Sequence, residues 1–244
     1  MTATAKISLI TGANKGIGFQ AARRLGAQGA VVLLGTRDPA RGESAAKTLR
    51  EEGADAHAVH LDVTDAATIA AAARYIDERY GRLDILINNA GINVEWPAGA
   101  PSEVSRDALW ATLETNVFGL IEVTNALLPL IRRSAAGRIV NVSSEMGMPA
   151  WLAGSEMPAM TAYSVSKAAV NMLTVLYANE LRGTAVKINA CSPGFVATDI
   201  NRGVGERTAE EGAEIEVRLA TLGADGPTGR AGPGAAPVTR AGRR

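Results

Sequence analysis

The chain has 244 residues, 47% hydrophobic and 20% charged, enough for one core of ordinary globular balance. Its 25 basic and 25 acidic residues cancel, which argues against a nucleic-acid or membrane-surface partner held by overall charge. The single cysteine, Cys191, excludes an intramolecular disulfide and fits a reducing compartment.

Residues 6–10 (KISLI) read as a first strand that runs straight into a glycine turn. It begins too early to leave room for a signal peptide, and no apolar run reaches membrane-spanning length, so a cytoplasmic location is expected. Residues 16–29 follow as a helix, with Ile17, Ala21 and Leu25 at helical spacing, and 30–34 (AVVLL) as a second strand. A helix over 41–52 is closed by Gly53, a strand covers 57–61, and a helix over 66–80 ends at Gly81. The fourth strand is 83–87 (LDILI). A long helix over 107–133 is expected to break or bend near Pro129, and 138–142 (RIVNV) is the fifth strand. A helix over 161–182 and a strand over 185–190 complete the pattern.

Strands that are apolar almost throughout, separated by helices, predict a doubly wound α/β fold: a parallel sheet covered on both faces, with its site at the carboxyl ends of the strands. One domain is expected over residues 1–223. From 226 the chain reads GPTGRAGPGAAPVTRAGRR, so 224–244 is expected to be a mobile tail.

Thr11-Gly12-Ala13-Asn14-Lys15-Gly16-Ile17-Gly18 lies between the first strand and the first helix. Glycines there let the backbone approach a pyrophosphate, which the helix N-terminus favours, although tight strand-to-helix turns use glycine anyway. The second strand ends in Leu34-Gly35-Thr36-Arg37-Asp38-Pro39. A neutral Thr36 followed by Arg37, with Lys15 in the glycine turn, suits a ribose 2′-phosphate and favours NADPH over NADH. Asp38 stands against this as an acid about twenty residues from the glycines, unless it starts a turn or caps a helix. Asp62 is a candidate for the adenine amino group or, alternatively, a helix cap.

Tyr163 and Lys167 lie four residues apart, on one face of a helix. A cation ~4 Å from a phenol, in an effective dielectric of ~20, favours phenolate by about 4 kcal/mol before desolvation is counted. Tyr163 is then fit to exchange a proton at neutral pH. Ser143 and Ser144 close the fifth strand, where a hydroxyl can hold a substrate oxygen; a turn or N-cap role is the alternative.

Together the motifs resemble the short-chain dehydrogenase/reductase family in its compact single-domain branch, over roughly residues 5 to 222. TGANKGIG, Asn88-Asn89-Ala90-Gly91, Asn116, Ser144, Tyr163-x3-Lys167 and Cys191-Ser192-Pro193-Gly194 occur in the family's order. The resemblance implies that Ser144 orients a carbonyl and Tyr163 protonates it. It also implies that Lys167 binds the nicotinamide ribose and lowers the tyrosine pKa, and that Asn116 supports a water-linked proton relay. Gly12, Asn14, Lys15, Gly16, Ile17, Gly18, Arg37, Asp62, Val63, Asn89, Ala90, Gly91, Pro193, Gly194, Val196 and Thr198 are then expected at the cofactor, with Tyr163 and Lys167. The first half is most similar to NADPH-dependent carbonyl reductases.

Nineteen positions separate Ser144 from Tyr163, more than the compact branch commonly has. The extra residues resemble a short form of the carbonyl reductase insertion, which implies a monomer or homodimer rather than a tetramer. The family's seventh strand lacks apolar residues here, so a shortened sheet is expected. Trp96, Met146, Trp151 and Phe195 are candidate walls of an apolar substrate pocket, with Met148, Met157 and Met160 nearby. His57 and His60 show no metal-ligand pattern, and no metal is expected. The resulting expectation is NADPH-dependent reduction of a ketone or aldehyde. The alternatives are an NAD-linked alcohol dehydrogenase and a catalytically vestigial dinucleotide-binding sensor.

Overall fold

Neighbouring residues of a strand face opposite sides of a sheet, so strands that are apolar on both sides need two covering layers. The computed structural model, which describes residues 5–95, 99–156 and 160–231, has those layers. Its first half is β1 (Ile7–Thr11), α1 (Gly16–Ala27), β2 (Val31–Thr36), α2 (Pro39–Glu51), β3 (Ala56–His60), α3 (Ala66–Tyr80) and β4 (Ile85–Asn88). The second half contains α4 (Arg106–Leu113), α5 (Gly119–Ile131), β5 (Arg138–Val142), α6 (Pro149–Leu152), α7 (Thr161–Glu180), β6 (Lys187–Cys191) and α8 (Ala209–Ala220).

The six strands form one parallel sheet in the order β3-β2-β1-β4-β5-β6. Leu9, Leu33, Leu86, Ile139 and Ile188 point to one face, where α3, α5 and α7 cover them. Ile10, Val32, Leu34, Ile85, Ile87 and Val140 point to the other, under α1, α2 and α8. The connections diverge between β1 and β4, which opens a crevice at their carboxyl ends, the usual place for a ligand in this architecture.

Several details depart from expectation. The helix over 107–133 is not broken at Pro129, which α5 accommodates within its last turn. Its irregularity is instead a π-turn at Glu114–Phe118 between α4 and α5. Helix α2 starts at Pro39 because Asp38 caps it: one carboxylate oxygen accepts from the amides of Ala40 and Arg41, and proline suits the first helical position. Helix α8 was not anticipated, although Thr208 and Glu211 form a reciprocal capping box at its start. Hydrogen bonding continues past residue 223. Gly229 N–H donates to the Ile188 carbonyl and Ala190 N–H to that of Arg230, which lays residues 227–230 along β6. The remainder of the expected tail, 232–244, lies outside the described residues.

Candidate active site

The glycine turn is shaped for close backbone approach. Gly12 and Gly16 have φ of +66° and +59°, which side chains of L-residues disfavour. A Cβ on Gly18 would fall 2.4 Å from the Asn89 amide nitrogen. That amide donates to the Thr11 and Gly12 carbonyls, while the Thr11 hydroxyl accepts from the Asn89 and Ala90 N–H groups. The ends of β1 and β4 are thus laced into one rim.

Beside the rim lies a cleft of about 740 Å³. Gly12, Asn14, Lys15, Gly16 and Ile17 line one end, Arg37, Asp62 and Val63 the flank, and Asn89, Ala90, Gly91 and Thr198 the rest. The amino end of α1 has no side-chain cap and no acid in its first turn, so its amides and dipole remain available to an anion. These residues fit a dinucleotide: glycines where backbone must approach, a helix N-terminus for the pyrophosphate, cations at the ribose end. Asp62 caps no helix; it accepts from the Thr64 amide and hydroxyl, and Asp65 caps α3. Of the other expected cofactor residues, Gly18 and Val196 are buried beneath the surface, Val196 against Gly212. Pro193 and Gly194 lie in the turn after β6, where Gly194 accepts from the Val196 N–H, and neither lines the cleft.

At the carboxyl end of β5 the two serines part company. The Ser143 hydroxyl is buried and donates to the Lys167 backbone carbonyl. The Ser144 hydroxyl instead accepts from the Met146 amide and lies near enough to the Tyr163 phenol to favour its ionised form. Helix α7 is brought unusually close to this strand end, because a Cβ on Gly147 would lie 2.4 Å from the Lys167 carbonyl carbon. The Lys167 ammonium donates to the Val142 carbonyl at 2.7 Å and sits 5.5 Å from the Tyr163 ring centroid.

Burial pushes the Tyr163 phenol up to about 12, opposed by the Ser144 hydrogen bond. Burial likewise pulls Lys167 down to about 8, opposed by Cys191 and Glu216. The Lys167 ammonium is turned to the Val142 carbonyl, and burial is the largest influence on the phenol.

The sequence matches the family model described as short chain dehydrogenase over residues 6–209. The chain belongs to that family. It is 38% identical over 230 residues to short-chain dehydrogenase anuI of Penicillium roqueforti, covering 90% of each chain. It is 35% identical over 265 residues to carbonyl reductase [NADPH] 3 of Rattus norvegicus, covering 92% of this chain and 94% of that one. Salutaridine reductase from Papaver somniferum superposes with a TM-score of 0.81 at 30% identity, over 92% of this chain and 98% of that one.

As a short-chain dehydrogenase, the protein is an oxidoreductase, and its site holds the expected Asn116 together with residues outside the motifs. Asn116 is buried in the π-turn; its amide donates to the Ile92 carbonyl and the Ser166 hydroxyl and accepts from the Ile92 N–H. Such turns rotate a side chain out of helical register. Glu95 accepts from the Tyr163 amide and so caps α7 from 68 residues away, where Met160 offers no cap. Arg207 bonds the Pro193 and Glu211 carbonyls and packs on Gly194, holding the turn after β6. Arg41 and Lys15 line a second depression of about 320 Å³ on the surface beside the cleft; the repeated cations of TRDPARGE were the available signal. The expected substrate walls are not gathered in the main cleft. Met146 is buried under the turn at Glu145–Gly147, Trp151 lies in α6, and Phe195 stands 37% exposed. Trp96 and Met157 lie outside the described residues. Among the described residues no group of acids, histidines and cysteines is placed to hold a metal.

Proposed function

We propose that this protein reduces a ketone or aldehyde to an alcohol with NADPH, Tyr163 donating the proton. The observation that carries the reading is Tyr163 beside Ser144 and one turn from Lys167, at the strand ends next to a dinucleotide-shaped cleft. NADPH, when bound, supplies the hydride. Ser144 receives the substrate oxygen through its hydroxyl, which lies beside the phenol of Tyr163. Tyr163 gives its proton to that oxygen and is left as phenolate, which the Lys167 ammonium stabilises. Asn116 keeps the Ile92 strand end against α7, and by family analogy it supports a water-linked proton relay.

Lys15, Arg37 and Arg41 at the ribose end support NADPH, as does the engagement of Asp38 as a helix cap. The relative named as an NADPH carbonyl reductase points the same way. An NAD-linked alcohol dehydrogenase has one observation in its favour, the ion pair between Lys15 and Asp199. Affinities for NADPH and NADH, repeated with Arg37→Asp, decide between them: the variant should lose its preference for NADPH. A vestigial sensor is disfavoured by the intact tyrosine and lysine.

The protein is proposed to act in the cytoplasm on a small moderately apolar carbonyl, without a nucleic-acid or membrane partner. No helix among the described residues is long and apolar enough to cross a membrane. A monomer or homodimer is proposed; the exposed Val165, Met172 and Leu176 along α7 offer a face for a second copy. The test of activity is oxidation of NADPH with a panel of aryl ketones, aldehydes and quinones. Tyr163→Phe should lower turnover about 10²- to 10⁴-fold while NADPH binding persists. Full turnover by that variant would falsify the role.

A further inference from the structure

Tyr163 is held on both sides of its own backbone. Its N–H donates to a Glu95 carboxylate oxygen at 3.0 Å, and its carbonyl accepts from the Ser166 hydroxyl at 2.7 Å. Both bonds belong to a closed circuit. The fully buried Ser166 accepts from the Asn116 side-chain amide at 3.0 Å. Asn116 in turn exchanges two hydrogen bonds with the Ile92 backbone, at 2.8 and 2.9 Å. Three residues after Ile92 the same loop reaches Glu95, and the circuit returns to Tyr163.

Nothing local serves that amide. It is among the first N–H groups of α7, which have no carbonyl one turn earlier within the helix. Ser, Thr, Asp or Asn at the N-cap would ordinarily supply an oxygen, but the N-cap is Met160. Glu95, half-buried on the loop after β4, takes that place. Its approach is itself fixed: the Glu95 N–H donates to the Asn93 side-chain oxygen at 3.0 Å, and the Asn93 amide donates to the Met160 sulfur. The loop so fastened is a wall of the site, since Gly91, Ile92 and Asn93 line the main cleft.

We propose that Glu95 is a positioning residue for Tyr163: by closing the circuit through Ile92, Asn116 and Ser166, it registers the first turn of α7 against the cleft wall, so that the phenol meets a carbonyl lodged on that wall. The inference rests on the reading of Tyr163 as proton donor. A carboxylate suits the task. It makes a stronger hydrogen bond to a backbone N–H than a neutral acceptor does, and the amino end of a helix favours its charge. With both the N–H and the carbonyl of Tyr163 tied to one loop, the helix start and the wall move together. The circuit therefore fixes the tyrosine relative to the substrate and not merely relative to its own helix.

Glu95→Ala opens the circuit. At saturating NADPH its turnover of a ketone that the parent reduces should fall about 10- to 100-fold, the scale of a misplaced reacting group. Its dissociation constant for NADPH, read by fluorescence, should stay within about twofold, because the dinucleotide contacts lie elsewhere. Glu95→Gln keeps an oxygen at the same reach and should recover most of the turnover. A Glu95→Ala protein that loses thermal stability yet turns over like the parent has lost only a helix cap, and overturns the proposal. Ser166→Ala opens the same circuit at another link. The loss in the double variant should therefore fall short of the product of the single losses, and losses that multiply overturn the circuit. A final measurement needs no turnover. With isotope-labelled tyrosine rings, the magnetic resonance signals of the four tyrosines are compared, and Tyr163→Phe identifies one of them. Glu95→Ala should move or broaden the Tyr163 ring signal and Glu95→Gln should return it; a ring signal unchanged in Glu95→Ala overturns the proposal. A protein that oxidises no NADPH yet shows this change refutes the carbonyl-reductase reading and leaves the tie between Glu95 and Tyr163 established.

Discussion

Lys15 has two partners to choose between at the mouth of the cleft. In this structure its ammonium meets the Asp199 carboxylate, both side chains largely exposed, and Arg41 adds to the field that holds the Asp199 carboxyl below its ordinary range. A ribose 2′-phosphate must draw Lys15 away from that pair. Exposed pairs contribute little, so the competition is mild. Asp199→Asn should therefore tighten NADPH binding about two- to fivefold and leave NADH almost unchanged. Fluorescence titration of the two dinucleotides checks this, and an equal change for both would assign Asp199 to loop order alone. The serines illustrate a different residue-scale lesson. Side by side in sequence they are equivalent candidates, and their distinction comes from partners: Ser143 faces the α7 backbone, Ser144 the phenol.

At the scale of elements, what was legible depended on sequence distance. TGANKGIG and Tyr163-x3-Lys167 are local patterns, set by one turn and one helical repeat, so they announce themselves. The alternating apolar runs likewise fix strand and helix order. Glu95 capping α7 and Arg207 holding the Pro193 carbonyl depend on contacts between segments apart in sequence, which no local spacing encodes. The π-turn around Asn116 is hidden because the pattern over 107–133 reads as one helix whose only marked irregularity is Pro129. Helix α8 is the exception, since its Thr208–Glu211 capping box is a local pattern. Thr208→Ala should cost about 1 kcal/mol of stability in urea denaturation, the usual size of a lost N-cap. A variant as stable as the parent would mean that packing alone holds α8.

For the whole molecule, two buried groups bend stability against pH in opposite directions. Glu216 is raised from 4.5 to about 8, so the folded chain binds the extra proton across that window. Stability should fall as pH rises from about 4.5 to 8, by an amount of the order of a few kcal/mol. Lys167 is lowered from 10.5 to about 8, so the unfolded chain binds more protons above pH 8 and stability should recover toward 10.5. Thermal unfolding should thus show a minimum near pH 8. In Glu216→Leu the descending arm should flatten, and a descent that survives the substitution would refute the assignment.

The approach of Gly147 to α7 bears on timing. With no room for even a methyl group between them, the β5 end and the tyrosine-bearing helix form an anvil against which the reaction is struck. The opposite side, the stretch from Phe195 to Arg207, is held by its own backbone bonds, by Arg207 and by the exposed Lys15–Asp199 pair, and is the part expected to yield. Amide hydrogen exchange should be slow along α7 and fast in that stretch, and dinucleotide should slow the second far more than the first.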